Sequence, residues 1–155
     1  MTSEYFKPLS SLLSTSIAPP LTAQQLIQNL TVVSSSSSGE VKDQCDKILH
    51  TLEKMSPTAI TITLKAIALA QKHGDSLADC LKREFIMTQG AARKHSDFRE
   101  GVRAVLVDKD RNPQWNPSSV YDLDEELIES VFFDPQNVER ELELASWDDI
   151  ATSSF

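Results

Sequence analysis

Asp97 and Glu100 stand three residues apart in the run from His95 to Pro117, HSDFREGVRAVLVDKDRNPQWNP, so on a helix their carboxylates share one side. Such a pair can divide acid and base work. Arg99 and Arg103 lie within the same helical reach, however, and favour structural ion pairing over proton transfer. Three nearby residues have the chemistry to bind a ligand: Phe98 as an apolar wall, although its place on the apolar face favours the core, and Arg103 and Lys109 as cations with reach for phosphate. Two residues resemble nucleophiles but lack what would activate them. Cys80 has no histidine at helical spacing, and burial raises a thiol pKa; Ser56 precedes Pro57 outside any Gly-x-Ser-x-Gly turn and reads as a helix cap. His50, His73 and His95 are isolated from one another and from Cys45 and Cys80, so no metal constellation is expected. No catalytic residue can be assigned.

The elements that must position these groups are helices. Ser96 can cap a helix on which Phe98, Val102, Val105 and Leu106 fall three and four apart and share one apolar face. Gly101 sits mid-helix, where it costs about 1 kcal/mol against alanine, and implies that another group approaches closely. Asp108-Lys109-Asp110 and Asn112-Pro113 end the helix, and Trp115, between Pro113 and Pro117, is expected to plug it against the rest of the domain. Upstream, Thr22 with Gln25 forms a capping box, and Leu26, Ile27 and Leu30 supply a buried stripe. Ser34 to Gly39 reads as a mobile serine linker. Glu40 to Lys54 repeats apolar residues at Val41, Cys45, Ile48, Leu49 and Leu52. Ser56-Pro57 starts a helix that carries Ile60, Leu64, Ile67 and Ala68 and ends at a left-handed Gly74. Ser76 opens another with Leu77, Cys80, Leu81, Phe85 and Thr88 facing in, and the Ser96 helix follows after Gly90 and the basic Arg93-Lys94. Ser118 and Asp122 signal a last helix through Leu123, Leu127 and Val131, ended by Pro135. Val138 to Ala145 has room for one or two more helical turns before a frayed tail from Ser146.

A chain of 155 residues at 40% hydrophobic can bury one ordinary core, and the recurring three-and-four spacing makes it all-α. With 4 glycines it has no glycine-rich phosphate loop. A net charge of -8 argues against nucleic acid as a partner, because neutralising phosphates needs clustered Lys and Arg. Basic residues do gather between Lys82 and Arg111; a solvated helix face is preferred there to an anion-binding wall. Cys45 and Cys80 read as reduced core thiols. No apolar run has membrane-spanning length, no arginine precedes Arg83, and Ser153-Ser154-Phe155 is no peroxisomal signal, so the chain is expected to be soluble and, expressed as given, cytosolic.

The block from His95 to Pro117 resembles the C-terminal signature of the 3-hydroxyisobutyryl-CoA hydrolases, a branch of the crotonase (enoyl-CoA hydratase/isomerase) superfamily. That superfamily ends in a pattern like Asp-Phe-x-Glu-Gly-x-x-Ala-Phe followed by a Lys-Arg pair. Asp97, Phe98, Glu100, Gly101 and Ala104 match it; Val105 replaces the second Phe, and Asp108-Lys109-Asp110 the basic pair, both as in the hydrolase branch. Lys54-Met55-Ser56-Pro57-Thr58 and the segment from Leu77 to Gln89 agree with the same branch, and the resemblance covers Thr22 to Phe133. It implies the helical C-terminal segment of a crotonase-type fold, lacking the β/α spiral core. The oxyanion donors and carboxylates that hydrolyse an acyl-CoA thioester belong to that core.

The implied organisation is a divergent N-terminal helix pair with its serine linker over 1–38, the hydrolase-like helical region over 39–133, and an acidic tail over 134–155. The resemblance implies a protein that cleaves a short branched hydroxyacyl-CoA in valine breakdown, usually in mitochondria, with this segment itself non-catalytic. It implies no cofactor besides the acyl-CoA substrate of the complete enzyme, and coenzyme A phosphates as the ligand for Arg103 and Lys109. Its expected partner is a crotonase-type core, on the same or a separate polypeptide. An alternative is a non-catalytic interaction module, such as a hydrolase relative associated with mitochondrial ribosomes. Separated from the core, the apolar helical faces are expected to stay exposed and to drive self-association.

Overall fold

Side-chain caps divide the chain into short helices. The computed structural model describes residues 22–93, 96–140 and 142–143. Their elements are α1 (Ala23–Ser36), α2 (Glu40–Leu52), α3 (Pro57–His73), α4 (Leu77–Ala91), α5 (Asp97–Val102), a π turn over Arg103–Val107, α6 (Glu125–Phe132) and a 3-10 turn over Pro135–Asn137. Among the described residues there is no strand, and the fold is all-α.

The caps are local and fall where the sequence puts them. Thr22 and Gln25 make the reciprocal capping box of α1, at 3.2 and 3.0 Å. Ser56 Oγ accepts from Ala59 N at 2.9 Å to open α3, with Pro57 in the first turn. Gly74, at φ 63° and ψ 40°, closes α3 in the left-handed conformation that glycine adopts without a steric penalty. Ser76 and Asp79 cap α4 reciprocally, and Ser96 accepts from Arg99 N at 3.4 Å to open α5.

Several expectations fail for physical reasons. The serine tract is not a linker at its start: α1 continues through Ser36, and the Ser35 and Ser36 hydroxyls find acceptors within the helix, donating to the carbonyls of Thr31 and Val32, each at 2.8 Å. Ser34 is buried and donates to Asp46 on α2. The last helix starts two residues later than expected, where the Asp124 carboxylate accepts from Glu126 N and Leu127 N. Leu77, Leu81 and Thr88 do not face in; all three are exposed, and Cys80 is only half-buried. Val138 to Arg140 is not helical; Gln89 holds it, accepting from Glu139 N and Arg140 N and donating to Arg140 O. The tail from Ser146 and the segment from Glu4 to Leu13 lie outside the described residues.

Packing is built around two small clusters. In the first, α1 lies along α2 and buries Leu30 against Cys45, flanked by Leu26, Val33, Val41 and Ile48. Burial, with Asp46 beside it, pushes the Cys45 thiol up, which makes it a core side chain without nucleophilic character. In the second, α6 lies on α4 and α3 and buries Ile128 and Phe132. Gly90 permits this contact. A Cβ built there would lie 2.6 Å from the Val131 carbonyl oxygen and 2.7 Å from Phe132 Cδ1. Lys65 on α3 pairs with Glu129 on α6 and lies 5.2 Å over the Phe133 ring. Gln24 Nε2 donates to Val120 O at 2.7 Å and ties α1 to the loop before α6.

Candidate functional site: a two-faced helix beside an apolar groove

The signature block forms one element with two unlike faces. α5 gives way after Val102 to the π turn, closed by Asp108 N–H donating to Arg103 O at 2.8 Å. This wider turn breaks the apolar stripe that a regular helix would present. Ala104, outside the expected stripe, is the residue fully buried; Val105 and Leu106 are 57% and 66% exposed. Phe98, expected in the core, is 63% exposed.

Arg103 organises the polar face. Its Nε and Nη2 donate to the two Glu100 oxygens at 2.9 and 2.7 Å, a bidentate pair. Its Nη1 donates to Asp108 and Asp110 at 2.5 and 2.8 Å, and Nη2 also reaches the Asn112 carbonyl at 3.2 Å. Gln114 N donates to Glu100 Oε1 at 2.7 Å, so the same carboxylate anchors the returning loop. Lys109 and Arg111 stand at φ 58° and 54°, left-handed positions unusual for residues with a Cβ. The loop doubles back around the guanidinium, and Arg111 N donates to Ala104 O at 2.9 Å.

These partners account for the charge states. Arg103, then the Gln114 N–H, hold the Glu100 carboxyl down from 4.5 to about 2. Arg103, then the Asn112 N–H, lower the Asp110 carboxyl, while the carboxylates hold the guanidinium above its ordinary range. Because the folded Glu100 pKa lies below the unfolded one, its contribution to stability is present above pH 4.5 and is lost as the pH falls toward 2. The gap between wild type and Glu100→Gln is therefore expected to be widest at neutral pH and to shrink between pH 4.5 and 2. Urea midpoints across that range measure it. Raising the salt concentration should narrow the gap at neutral pH, because the pair is partly open to solvent.

The other face opens on a groove of about 560 Å³. Thr58, Ala59 and Ile62 of α3 line one side; Phe98, Val102, Val105 and Leu106 line the other. Trp115 also lines it. Its Nε1 donates to Lys54 O at 3.1 Å, and its ring approaches Gly101, where a built Cβ would lie 3.4 Å from Cη2. The expected close approach at Gly101 is therefore the indole, and Trp115 does plug the helix against the start of α3. The Asn116–Pro117 peptide that follows is cis.

Ser56 and Asp97 are polar residues of this groove, and they bind each other. Ser56 Oγ donates to Asp97 Oδ2 at 2.5 Å while accepting from Ala59 N, and Asp97 Oδ1 accepts from Asn116 N at 3.2 Å. One carboxylate thus joins the starts of α3 and α5 to the Trp115 loop. The carboxylate pair read from spacing is therefore divided: Glu100 pairs with Arg103, whereas Asp97 accepts from Ser56 Oγ and Asn116 N and serves as a structural acceptor. The Ser56 contact spans 41 residues, and no local signal in the sequence marks it.

The three candidate binding residues are not brought together. Phe98 lines the groove; Arg103 is committed to its own loop, and exposed Lys109 belongs to that loop on the other face. Among the described residues no three His, Cys, Asp or Glu side chains form a metal-binding group, and no helix is long and apolar enough to cross a membrane.

With this geometry in view, comparison with known proteins is specific. The model of the enoyl-CoA hydratase/isomerase family matches residues 4–132, and the chain belongs to that family. Its relatives are 3-hydroxyisobutyryl-CoA hydrolases by name. The chain is 38% identical over 99 residues to 3-hydroxyisobutyryl-CoA hydrolase-like protein 5 of Arabidopsis thaliana, covering 61% of this chain and 25% of that protein. It is 37% identical over 111 residues to the mitochondrial 3-hydroxyisobutyryl-CoA hydrolase of Homo sapiens, covering 72% and 26%. The mitochondrial enzyme of Gallus gallus is 40% identical over 86 residues, covering 56% and 22%. The chain thus spans about a quarter of the length of the curated relatives it matches.

Proposed function

We propose that this chain is the C-terminal helical part of a 3-hydroxyisobutyryl-CoA hydrolase-like protein, that the complete protein cleaves an acyl-CoA thioester in valine breakdown, and that these helices contribute no catalytic residue. The observation that carries the division of labour is the state of the groove. Oxyanion stabilisation needs donors aimed at open space, and water activation needs a base with a free lone pair beside the substrate. Ser56 and Asp97 instead direct their bonds to each other and to backbone N–H groups. The reaction centre then lies in the crotonase-type core, and Phe98 offers an apolar wall to whatever the core holds. Lys109, exposed on its loop, is the better placed of the two candidate cations for a coenzyme A phosphate, because the Arg103 guanidinium is already surrounded by acceptors. The relatives named mitochondrial support action in that organelle.

The test follows release of free coenzyme A from 3-hydroxyisobutyryl-CoA with a thiol reagent. The chain by itself is expected to give no turnover above the uncatalysed rate. A chimera in which it replaces the matching part of the human relative is expected to turn over. Turnover by the isolated chain would overturn the division of labour, and an inactive, folded chimera would overturn the family reading of its role.

A further inference from the structure

Beyond α6 the chain turns back along α4. Asn137 O accepts from Arg93 Nη2 at 2.7 Å, just past the C-terminal end of α4, and Asn137 Nδ2 donates to Ser130 O at 3.0 Å. Two residues further on, Gln89 takes up Glu139 and Arg140. Residue numbers thus rise on the tail as they fall on α4, and the tail runs antiparallel to that helix. The family match ends at residue 132, so the tail lies outside the region shared with the relatives. Ahead of it, Leu77, Leu81, Phe85 and Gln89 stand four apart and form one slanting ridge of α4. Gln89 and Phe85 are half-buried, whereas Leu81 is 39% and Leu77 76% exposed among the described residues. The ridge therefore passes from covered to bare in the direction the tail travels. Leu142, the first apolar residue after the Gln89 bonds, is half-buried.

We propose that residues 144–155 continue this course as a strap and cover the bare end of the ridge, Leu144 over Leu81 and Trp147 over Leu77. The lengths agree. Leu81 and Leu77 lie about 12 and 18 Å along the helix from Gln89, at about 1.5 Å per residue. A strand-like chain advances about 3.3 Å per residue, which carries Leu144 about 13 Å and Trp147 about 23 Å past Arg140. The surplus of about 5 Å at Trp147 leaves the chain room to turn inward after Leu144. Leu142 and Leu144 are two residues apart and share one side of such a chain, so the contact that Leu142 has begun passes to Leu144. The tail is favoured over a second molecule because Gln89 and Arg93 already tether it beside the ridge, which makes docking intramolecular. Its effect is to fasten the end of α6 along α4. The inference stands independently of the hydrolase reading.

Fluorine NMR of the full chain labelled with 5-fluorotryptophan tests the strap. It reads Trp115 and Trp147 separately, and Trp147→Phe identifies the second resonance. The Trp147 resonance is expected to be displaced from that of a free peptide of residues 141–155, at every protein concentration. Leu77→Asp and Leu81→Asp should each return it to the free-peptide position while the Trp115 resonance stays in place. Leu77 is the first residue of α4, where an acidic side chain favours the helix, so that variant keeps its fold; circular dichroism checks both. Should Leu81→Asp unfold, Leu81→Ser serves with the same expected direction. Gln89→Ala, which removes the bonds that set the course, should move the Trp147 resonance the same way. A Trp147 resonance already at the free-peptide position in the wild type overturns the proposal. So does a displaced resonance that ignores Leu77 and Leu81, because the tail then rests elsewhere. A displacement that appears only as the concentration rises overturns it as well, since a second copy then covers the ridge.

Discussion

Gly90→Ala is expected to destabilise the protein by about 2 kcal/mol, whereas Gly101→Ala, eleven residues along by number, is expected to leave it unchanged or stabilise it by up to about 1 kcal/mol. Helix propensity alone predicts a gain at both positions, because alanine loses less backbone entropy than glycine. The surroundings decide the sign. At Gly90 the new methyl would meet the Val131 carbonyl oxygen at 2.6 Å and Phe132 Cδ1 at 2.7 Å, and the former is backbone that cannot swing aside. Relief requires α6 to lift from α4, which opens the cluster around Ile128 and Phe132. The overpacking penalty, about 1–3 kcal/mol for an added group in a tight site, exceeds the propensity gain. At Gly101 the nearest atom is Trp115 Cη2 at 3.4 Å, ordinary contact for a methyl group. Urea unfolding of both variants measures the contrast; a stabilised Gly90→Ala would show that α6 does not rest on α4 in this way.

Trp115→Ala is expected to cost about 3 kcal/mol. A fully buried tryptophan truncated to alanine loses about 3–5 kcal/mol, and this one is half-buried, so roughly half of that applies. The lost Nε1–H bond to the Lys54 carbonyl adds about 1 kcal/mol. Trp115→Phe separates the two contributions: it keeps most of the ring against Gly101 and should lose only about 1–2 kcal/mol. The same substitutions act on the groove, since Trp115 lines it. Thermal and urea unfolding give the stability change. A Trp115→Ala protein as stable as wild type would mean that the proline-flanked loop is not fastened to the start of α3.

The groove also shows why reading function from this stretch is difficult. Phe98, Val102, Val105 and Leu106 carry the spacing of a buried helical face, and hydrophobic spacing says only that a face is to be covered. It does not say by what. Among the described residues Phe98, Val105 and Leu106 stay more than half exposed, so a stripe that reads as core is a surface there.

What the sequence determined by itself is the helical class, most of the helix starts and stops, and the family. Thr22, Ser56, Ser76 and Ser96 bind backbone N–H groups three residues ahead, and Gly74 supplies a conformation that other residues avoid, so these signals are complete within one turn of chain. The motif from Asp97 to Pro117 is equally local, and so is the Glu100–Arg103 pair within it. The tertiary structure alone decided what spans longer separations: the bond between Ser56 and Asp97 across 41 residues, the approach of Val131 to Gly90, and the indole held by Lys54. It also decided that the helix widens at Arg103, because a guanidinium serving Glu100 on its own helix and Asp108, Asp110 and Asn112 on the returning loop draws that loop back under it. Residue spacing already sets Ala104 and Leu106 on opposite sides, and the tertiary structure reverses which of them is buried: Ala104 is, and Leu106 is exposed.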